Sequence, residues 1–79
     1  MKELLEVIAK SLVDVPDSVV VEEEDRGSTL VLKLYVADGD MGKVIGKQGR
    51  IAKAIRSVVK AAASKTDKTK KVIVDIVDD

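Results

Sequence analysis

The sequence predicts an α+β fold with the element order α-β-β-α-α-β, in which helices cover one face of a three-stranded mixed sheet. Apolar residues recur every three to four positions in 2–13 and 50–64, the helical period, and alternate with polar residues in 29–37, the strand period. Two helical segments separate strand 29–37 from strand 72–77, so the crossover predicts that these strands are parallel. The 79 residues are enough for a single domain, 1–79, with a small core.

The first half of the chain contains a helix and a β-hairpin. The helix, 2–13, carries its apolar side chains on one arc, and Pro16 ends it. The members of that arc are Leu4, Leu5, Ile8 and Leu12. Strands are expected at 18–23 and 29–37 because β-branched and alternating residues flank the turn sequence of 25–28. The hairpin therefore has one strongly apolar face, which predicts that the helices pack against it.

The second half forms the crossover and the last strand. A break at 37–40 ends the hairpin, and Asp40 is expected to cap the following turn of helix, Met41 to Ile45. A long helix begins at Arg50 and continues to about Ser64. A polar, basic loop covers 66–71, and a β-branched run at 72–77 forms the last strand.

Composition excludes several classes of site. The chain has no Cys and no His, which excludes disulfides, thiolate metal sites, cysteine nucleophiles and the most frequent general base. No cofactor or metal is expected. No apolar run is long enough to cross a membrane, and the N-terminus lacks a signal-peptide cleavage site, so we expect a cytoplasmic protein without a membrane partner.

The net charge of zero conceals a strong segregation of charge. Residues 1–40 contain four basic and ten acidic side chains, whereas residues 41–71 contain ten basic side chains and one acid. Such asymmetry points to a surface for nucleic acid or another polyanion. A solvated basic helix face explains the charge equally well at this stage.

Two glycines three residues apart carry the main functional signal. Gly46 and Gly49 stand between the short helical turn and the long helix, with Lys47 and Arg50 beside them. Free N–H groups, a helix N-terminus and positive charge at one place suit a phosphate group. The alternative is a tight turn between two helices that needs no ligand. The spacing and flanking residues do not match a P-loop or a dinucleotide-binding loop.

The stretch Val44-Ile45-Gly46-Lys47-Gln48-Gly49-Arg50-Ile51, followed by a long helix, resembles the I-G-x-x-G signature of the KH domain. The element order resembles the type II, or bacterial, KH topology. A stand-alone domain of this size is similar to the small bacterial KH proteins of the KhpA family. The resemblance implies a non-catalytic protein that binds single-stranded RNA.

The resemblance also assigns roles to individual residues. It implies that main-chain groups of Gly46, Lys47, Gln48 and Gly49 contact the RNA backbone. The resemblance divides the apolar residues of the signature between a base-binding groove and the core. These residues are Val44, Ile45 and Ile51, and the sequence does not show which of them lie in the groove. Charge and proximity, rather than the family pattern, add Lys43, Arg50 and Lys53 to the RNA-binding surface.

The KhpA family implies a partner as well. Its members are associated with a larger KH-containing protein, KhpB or Jag, and with RNA chaperone-like regulation of cell shape. The alternative is a KH fold that acts as a protein-interaction or dimerisation module with little RNA binding of its own. For that role the sequence offers the uncovered face of the sheet, where Val31, Tyr35, Ile73 and Val77 are expected to be exposed and could form a homodimer.

Overall fold

The computed structural model describes residues 1–66 and 70–77, in which three helices and three strands follow the predicted order. The helices are α1 (Lys2–Leu12), α2 (Met41–Ile45) and α3 (Arg50–Thr66), and the strands are β1 (Val20–Asp25), β2 (Thr29–Tyr35) and β3 (Lys71–Ile76). Short 3-10 turns lie at Pro16–Ser18, Asp38–Asp40 and Lys47–Gly49. The α+β fold class is confirmed. Of the predicted loop 66–71, positions 67–69 lie outside the described residues.

The strand boundaries differ from the prediction mainly around Pro16. We expected the first strand at 18–23, but it begins at Val20 because Pro16 starts a 3-10 turn, in which Val19 N–H donates to the Pro16 carbonyl at 3.1 Å. The fixed φ angle of proline suits the first position of such a turn. The long helix also continues two residues beyond the predicted Ser64, to Thr66.

The sheet has the order β1-β2-β3, with β2 in the centre. β1 pairs with β2 antiparallel, and β3 pairs with β2 parallel, as the crossover predicts. Leu34 lies opposite Val21 on one side and Ile76 on the other. Both β1 and β3 are edge strands of this sheet, so each has a row of backbone groups that no strand of the sheet pairs.

The core is aliphatic and lies between the helices and one face of the sheet. The largest fully buried side chains among the described residues are Leu5, Leu32, Leu34, Val44 and Val59. They come from α1, β2, α2 and α3, so burial of this one apolar cluster fixes the helices against the sheet. None of the helices within 1–66 and 70–77 is both long and apolar enough to cross a membrane.

The opposite face of the sheet, here called the open face, exposes less apolar surface than predicted. Val31 was expected to be exposed there, but only 6% of its surface is accessible. It lies in the central strand between Glu24 and Ile73, and Lys33 reaches across it to Glu24 at 3.4 Å. Neighbouring side chains therefore cover Val31, and the prediction was wrong for that residue, although 39% of Ile73 is exposed.

Candidate functional site

The segment 46–49, here called the GxxG loop, turns the chain sharply between α2 and α3. Three of its residues have positive φ angles: Gly46 (74°), Gln48 (57°) and Gly49 (72°). Gly46 N–H ends α2 by donating to the Gly42 carbonyl at 2.8 Å, and Gly49 N–H donates to the Gly46 carbonyl at 3.2 Å. Two of the three positive angles fall on glycine, which adopts them without steric cost.

The two glycines of the loop have different surroundings. A β-carbon on Gly46 would lie 2.6 Å from Cγ1 of Ile51, inside any permitted contact distance. A β-carbon on Gly49 would meet nothing within 4 Å. Packing of the first turn of α3 therefore demands glycine at 46, whereas the open space at Gly49 lets another molecule approach the backbone closely.

The middle of the GxxG loop presents polar groups to solvent. Lys47 and Gln48 are both exposed, and an Arg50 Nη2 group donates to Gln48 Oε1 at 3.4 Å. The first N–H groups of a helical turn have no acceptor within the turn, and the N-terminus of α3 adds partial positive charge at the same place. The loop and the first residue of α3 thus combine backbone donors with two cationic side chains, Lys47 and Arg50, a combination that attracts phosphate.

Asp40 anchors the segment that leads into the loop, although not by capping α2 as we expected. It occupies the N-cap position, but its side chain makes no capping hydrogen bond. Its carboxylate instead accepts hydrogen bonds from the backbone N–H groups of Asp14 (3.2 Å) and Val15 (3.0 Å). Burial raises the pKa of Asp40, but these two hydrogen bonds and Lys43 together hold that pKa below its ordinary value. The buried carboxylate therefore joins the end of α1 to the start of α2.

Lys43 belongs to the same cluster. Its Nζ donates to the carboxylate of Asp14 and lies 3.4 Å from Oδ1 of Asp40. The hydrogen bond to Asp14, followed by the one to Asp40, raises the pKa of Lys43. The structure thus places this predicted RNA-binding residue in an ion-pair network on α2, with two acidic partners that a phosphate would have to displace.

The apolar residues of the signature divide between core and surface. Val44 is fully buried in the core, whereas Ile45 and Ile51 are only partly buried against it. Ile51 also lines a groove of about 390 Å³ between α1 and α3. The other residues that line this groove are Ile8, Leu12, Arg50, Ala54, Ile55 and Val58. Arg50, predicted to contact RNA, therefore borders an apolar groove as well as the loop.

A row of basic side chains follows the GxxG loop along another side of α3. Ala52, Ile55 and Val59 form the buried side of the helix. Arg56 lies beside that buried side, and its Nε donates to the carbonyl of Val74 in β3 at 3.2 Å. Lys53 and Lys60 lie three residues before and four residues after Arg56, so they share its side of the helix. We call these three residues the basic stripe.

The basic stripe contains two residues that our site prediction omitted, Arg56 and Lys60. Helical spacing from Lys53 could have identified them, because residues at i+3 and i+7 share a helix face. The contact of Arg56 with β3 could not be foreseen from spacing alone, because it depends on how α3 crosses the sheet. Within 1–66 and 70–77, no three Asp or Glu side chains come together in a way that could hold a metal ion.

Comparisons with known proteins found similar sequences along nearly the whole chain. The family model described as "KhpA/KhpB, KH domain" matches residues 2–76. The RNA-binding protein KhpA of Clostridium acetobutylicum is 62% identical over 77 residues, which cover 98% of this chain and all of the relative. The protein of the same name from Caldanaerobacter subterraneus is 57% identical over 77 residues, with the same coverage.

A solved structure shows the same fold at much lower identity. Aquifex aeolicus Era, in complex with GDP and aluminium fluoride, matches 99% of this chain with a TM-score of 0.66 and 22% identity. The match covers 31% of the Era chain. This similarity concerns the fold of the domain alone.

Proposed function

The chain belongs to the KhpA/KhpB family of KH domains, and from this premise we propose that it binds single-stranded RNA through the GxxG loop and the basic stripe. The observation that carries the proposal is the loop itself: its backbone takes three positive φ angles, its central side chains are exposed, and nothing crowds Gly49. The curated relatives are named as RNA-binding proteins.

The loop is suited to hold the RNA backbone. Backbone N–H groups at the start of the 3-10 turn and of α3 donate to phosphate oxygens, while Lys47 supplies charge. The absence of a side chain at Gly49 allows the sugar-phosphate chain to lie against the protein backbone. These contacts position the RNA without reading its sequence.

The bases then lie beyond the loop, between the basic stripe and the outer edge of β3. Lys53 and Lys60 neutralise phosphates on one side of this path, and the backbone of β3 offers hydrogen-bonding groups on the other. The protein has no Phe or Trp and only one Tyr, so it lacks the row of aromatic side chains on which other single-strand binders stack bases. We therefore expect a weak single-site affinity, roughly 10⁻⁴–10⁻⁶ M at physiological salt.

Weak binding favours action together with a second RNA-binding unit. Two linked sites on one RNA gain effective concentration and bind far more tightly than either site alone. We propose that the second unit is a KhpB/Jag-like KH protein, whose name the description of the matching family model shares, and that the two act together as an RNA chaperone. No catalysis is required, and the relatives carry the name of a binding protein rather than that of an enzyme, in agreement with the prediction from the sequence.

A second candidate function is docking of another protein, and the groove between α1 and α3 favours it. The groove is lined almost entirely by apolar side chains, and 50% of Val58 at its border is exposed. It lies on the other side of α3 from the basic stripe, so a docked protein and a bound RNA could occupy the domain together. Val58→Asp should weaken such docking while the affinity for RNA stays unchanged.

Crosslinking distinguishes the two functions. Ultraviolet crosslinking of the intact protein to single-stranded RNA, followed by mass spectrometry of the crosslinked peptides, should identify peptides from the GxxG loop, the basic stripe and β3. Crosslinks confined to β1 and the hairpin turn would contradict the proposed RNA path. A complete lack of crosslinks, together with self-association that Val58→Asp abolishes, would favour the docking function.

A further inference from the structure

The hydrogen bond between Arg56 and Val74 engages a backbone group on the outer edge of the sheet. Lys71 N–H donates to Ser28 and Val77 N–H donates to Leu34, so the odd-numbered residues of β3 bond to β2. In a parallel strand the N–H and C=O groups of one residue point to the same side. The backbone groups of Val74 therefore point away from β2, where its carbonyl accepts the hydrogen bond from Arg56.

This bond orients the guanidinium group. Arginine has further N–H groups in a rigid fork, and Nε is only one of its donors. Among the described residues, no carboxylate forms an ion pair with Arg56, and the side chain is exposed. The remaining guanidinium donors are thus available to a ligand, together with the outward N–H of Val74.

Bases differ in how well they match a set of donors. Guanine presents two neighbouring acceptors, O6 and N7, and arginine donates to both in the most frequent specific contact with a base. Cytosine presents O2 and N3 next to each other on its Watson–Crick edge. Adenine presents its N7 acceptor next to its N6 amino group, which is a donor and needs an acceptor on the protein. The guanidinium group offers no acceptor, so adenine matches it with one hydrogen bond, whereas guanine and cytosine match it with two.

We propose that Arg56, held by Val74, makes this part of the RNA path selective for a base with two adjacent acceptors, guanine or cytosine, over adenine. The inference rests on the proposed function, since it assigns base preference to a site that binds RNA. Lys53 and Lys60 supply charge beside Arg56, but an ammonium group cannot reproduce the forked donor pattern. The stripe therefore combines two lysines that hold phosphates with one arginine that reads a base.

Fluorescence anisotropy with three U-rich RNAs, which carry a central GG, CC or AA dinucleotide, tests the preference. The intact protein should bind the GG or the CC RNA about tenfold more tightly than the AA RNA. If GG is preferred, replacement of guanine by 7-deazaguanine, which lacks the N7 acceptor, should remove most of the difference. If CC is preferred instead, the Watson–Crick acceptors of cytosine are the ones that Arg56 reads.

Two variants and a matched control complete the test. Arg56→Lys keeps the charge, so it should abolish the preference and leave the salt dependence of binding unchanged. Arg56→Ala removes the forked donors, so the three RNAs should bind with similar affinity. The control is Arg26→Lys. Arg26 is an exposed residue of the hairpin turn that pairs with Glu24, so its replacement should change neither the base preference nor the salt dependence of binding.

The outcomes separate this inference from the proposed function. Equal affinity of the unmodified protein for all three RNAs would overturn the inference while leaving RNA binding intact. An equal loss of affinity for all three RNAs in the Arg56→Lys variant would also overturn the inference, since that result indicates that Arg56 contacts phosphate. Failure of the unmodified protein to bind any of the RNAs would refute the proposed function itself.

Discussion

Gly46 and Ile51 stand so close together that a β-carbon at position 46 would lie 2.6 Å from Cγ1 and 2.9 Å from Cδ1 of Ile51. The contact joins the first residue of the GxxG loop to the first turn of α3, and it fixes the direction in which the chain leaves α2. Gly49 has a similar φ angle but open space around it. The first glycine is therefore needed for the fold, and the second leaves room for a ligand.

This difference predicts unequal costs for two alanine substitutions. Gly49→Ala should lower the free energy of unfolding by about 1–2 kcal/mol, the cost of a β-carbon at positive φ. Gly46→Ala carries the same cost and in addition displaces Ile51, so we expect a total loss above about 2 kcal/mol. Urea unfolding at neutral pH measures the free energy of unfolding of both variants, and Gly49→Ala is the matched control. A Gly49→Ala loss equal to or larger than that of Gly46→Ala would disprove the steric role of Ile51.

The buried Asp40 carboxylate predicts a pH-dependent contribution to stability. Because its pKa is lower in the folded protein than the ordinary value of about 3.9, the ionised group stabilises the fold above that value. The contribution disappears as the pH falls through the folded pKa. Asp40→Asn should therefore lower the urea midpoint at pH 7, and its difference from the unmodified protein should shrink in more acidic solution. Asp17→Asn, at an exposed position, is the control. A difference in urea midpoint between Asp40→Asn and the unmodified protein that does not change with pH would contradict this mechanism.

Salt dependence identifies the cations that contact phosphate. Each phosphate contact adds about −0.7 to the slope of log K against log salt for single strands. Changing both Arg50 and Lys53 to Gln should flatten that slope by about 1 and weaken binding to all sequences alike. Changing Lys70 and Lys71 to Gln should have less effect on a short RNA, since they lie at the far end of α3 and Lys70 already pairs with Asp25 at 2.7 Å. A larger loss of slope in the Lys70/Lys71 variant would show that the RNA follows another path.

Periodicity and segment order were sufficient to predict the fold, because both are local properties of the chain. The parallel pairing of β2 with β3 followed from the crossover alone, and the loop followed from two glycines between two helices. Contacts between distant segments could not be predicted in this way. The Asp40 carboxylate bonds to the backbone just after α1 rather than to its own helix, and Val31 is buried although it lies on the open face.

The same limit applies to the candidate site. Charge and proximity in the sequence selected Lys43, but its Asp14 partner is 29 residues away in the chain and could be identified only from the structure. Helical spacing places Arg56 on the same side of α3 as Lys53, but nothing in the sequence indicates that α3 brings it to the carbonyl of Val74. Residues of the loop were identified because their function depends on local backbone conformation, whereas the contacts of long side chains depend on tertiary packing.

The central claim is that the GxxG loop binds RNA, and reversal of its charge tests that claim most directly. Lys47 and Gln48 are exposed, and aspartate is among the residues that tolerate the positive φ angle found at Gln48. Lys47→Asp combined with Gln48→Asp should therefore preserve the fold, which circular dichroism can verify. Lys10→Asp combined with Ser11→Asp, two exposed positions on α1, makes the same change in net charge away from the loop.

Binding of both double variants to a short single-stranded RNA is the decisive measurement, made by fluorescence anisotropy at low salt. The loop variant should lose RNA binding because two carboxylates repel the phosphates where the backbone donors should hold them, while the α1 variant should retain most of its affinity. Undiminished binding by the loop variant, or an equal loss in both variants, would contradict the assignment of RNA binding to the loop.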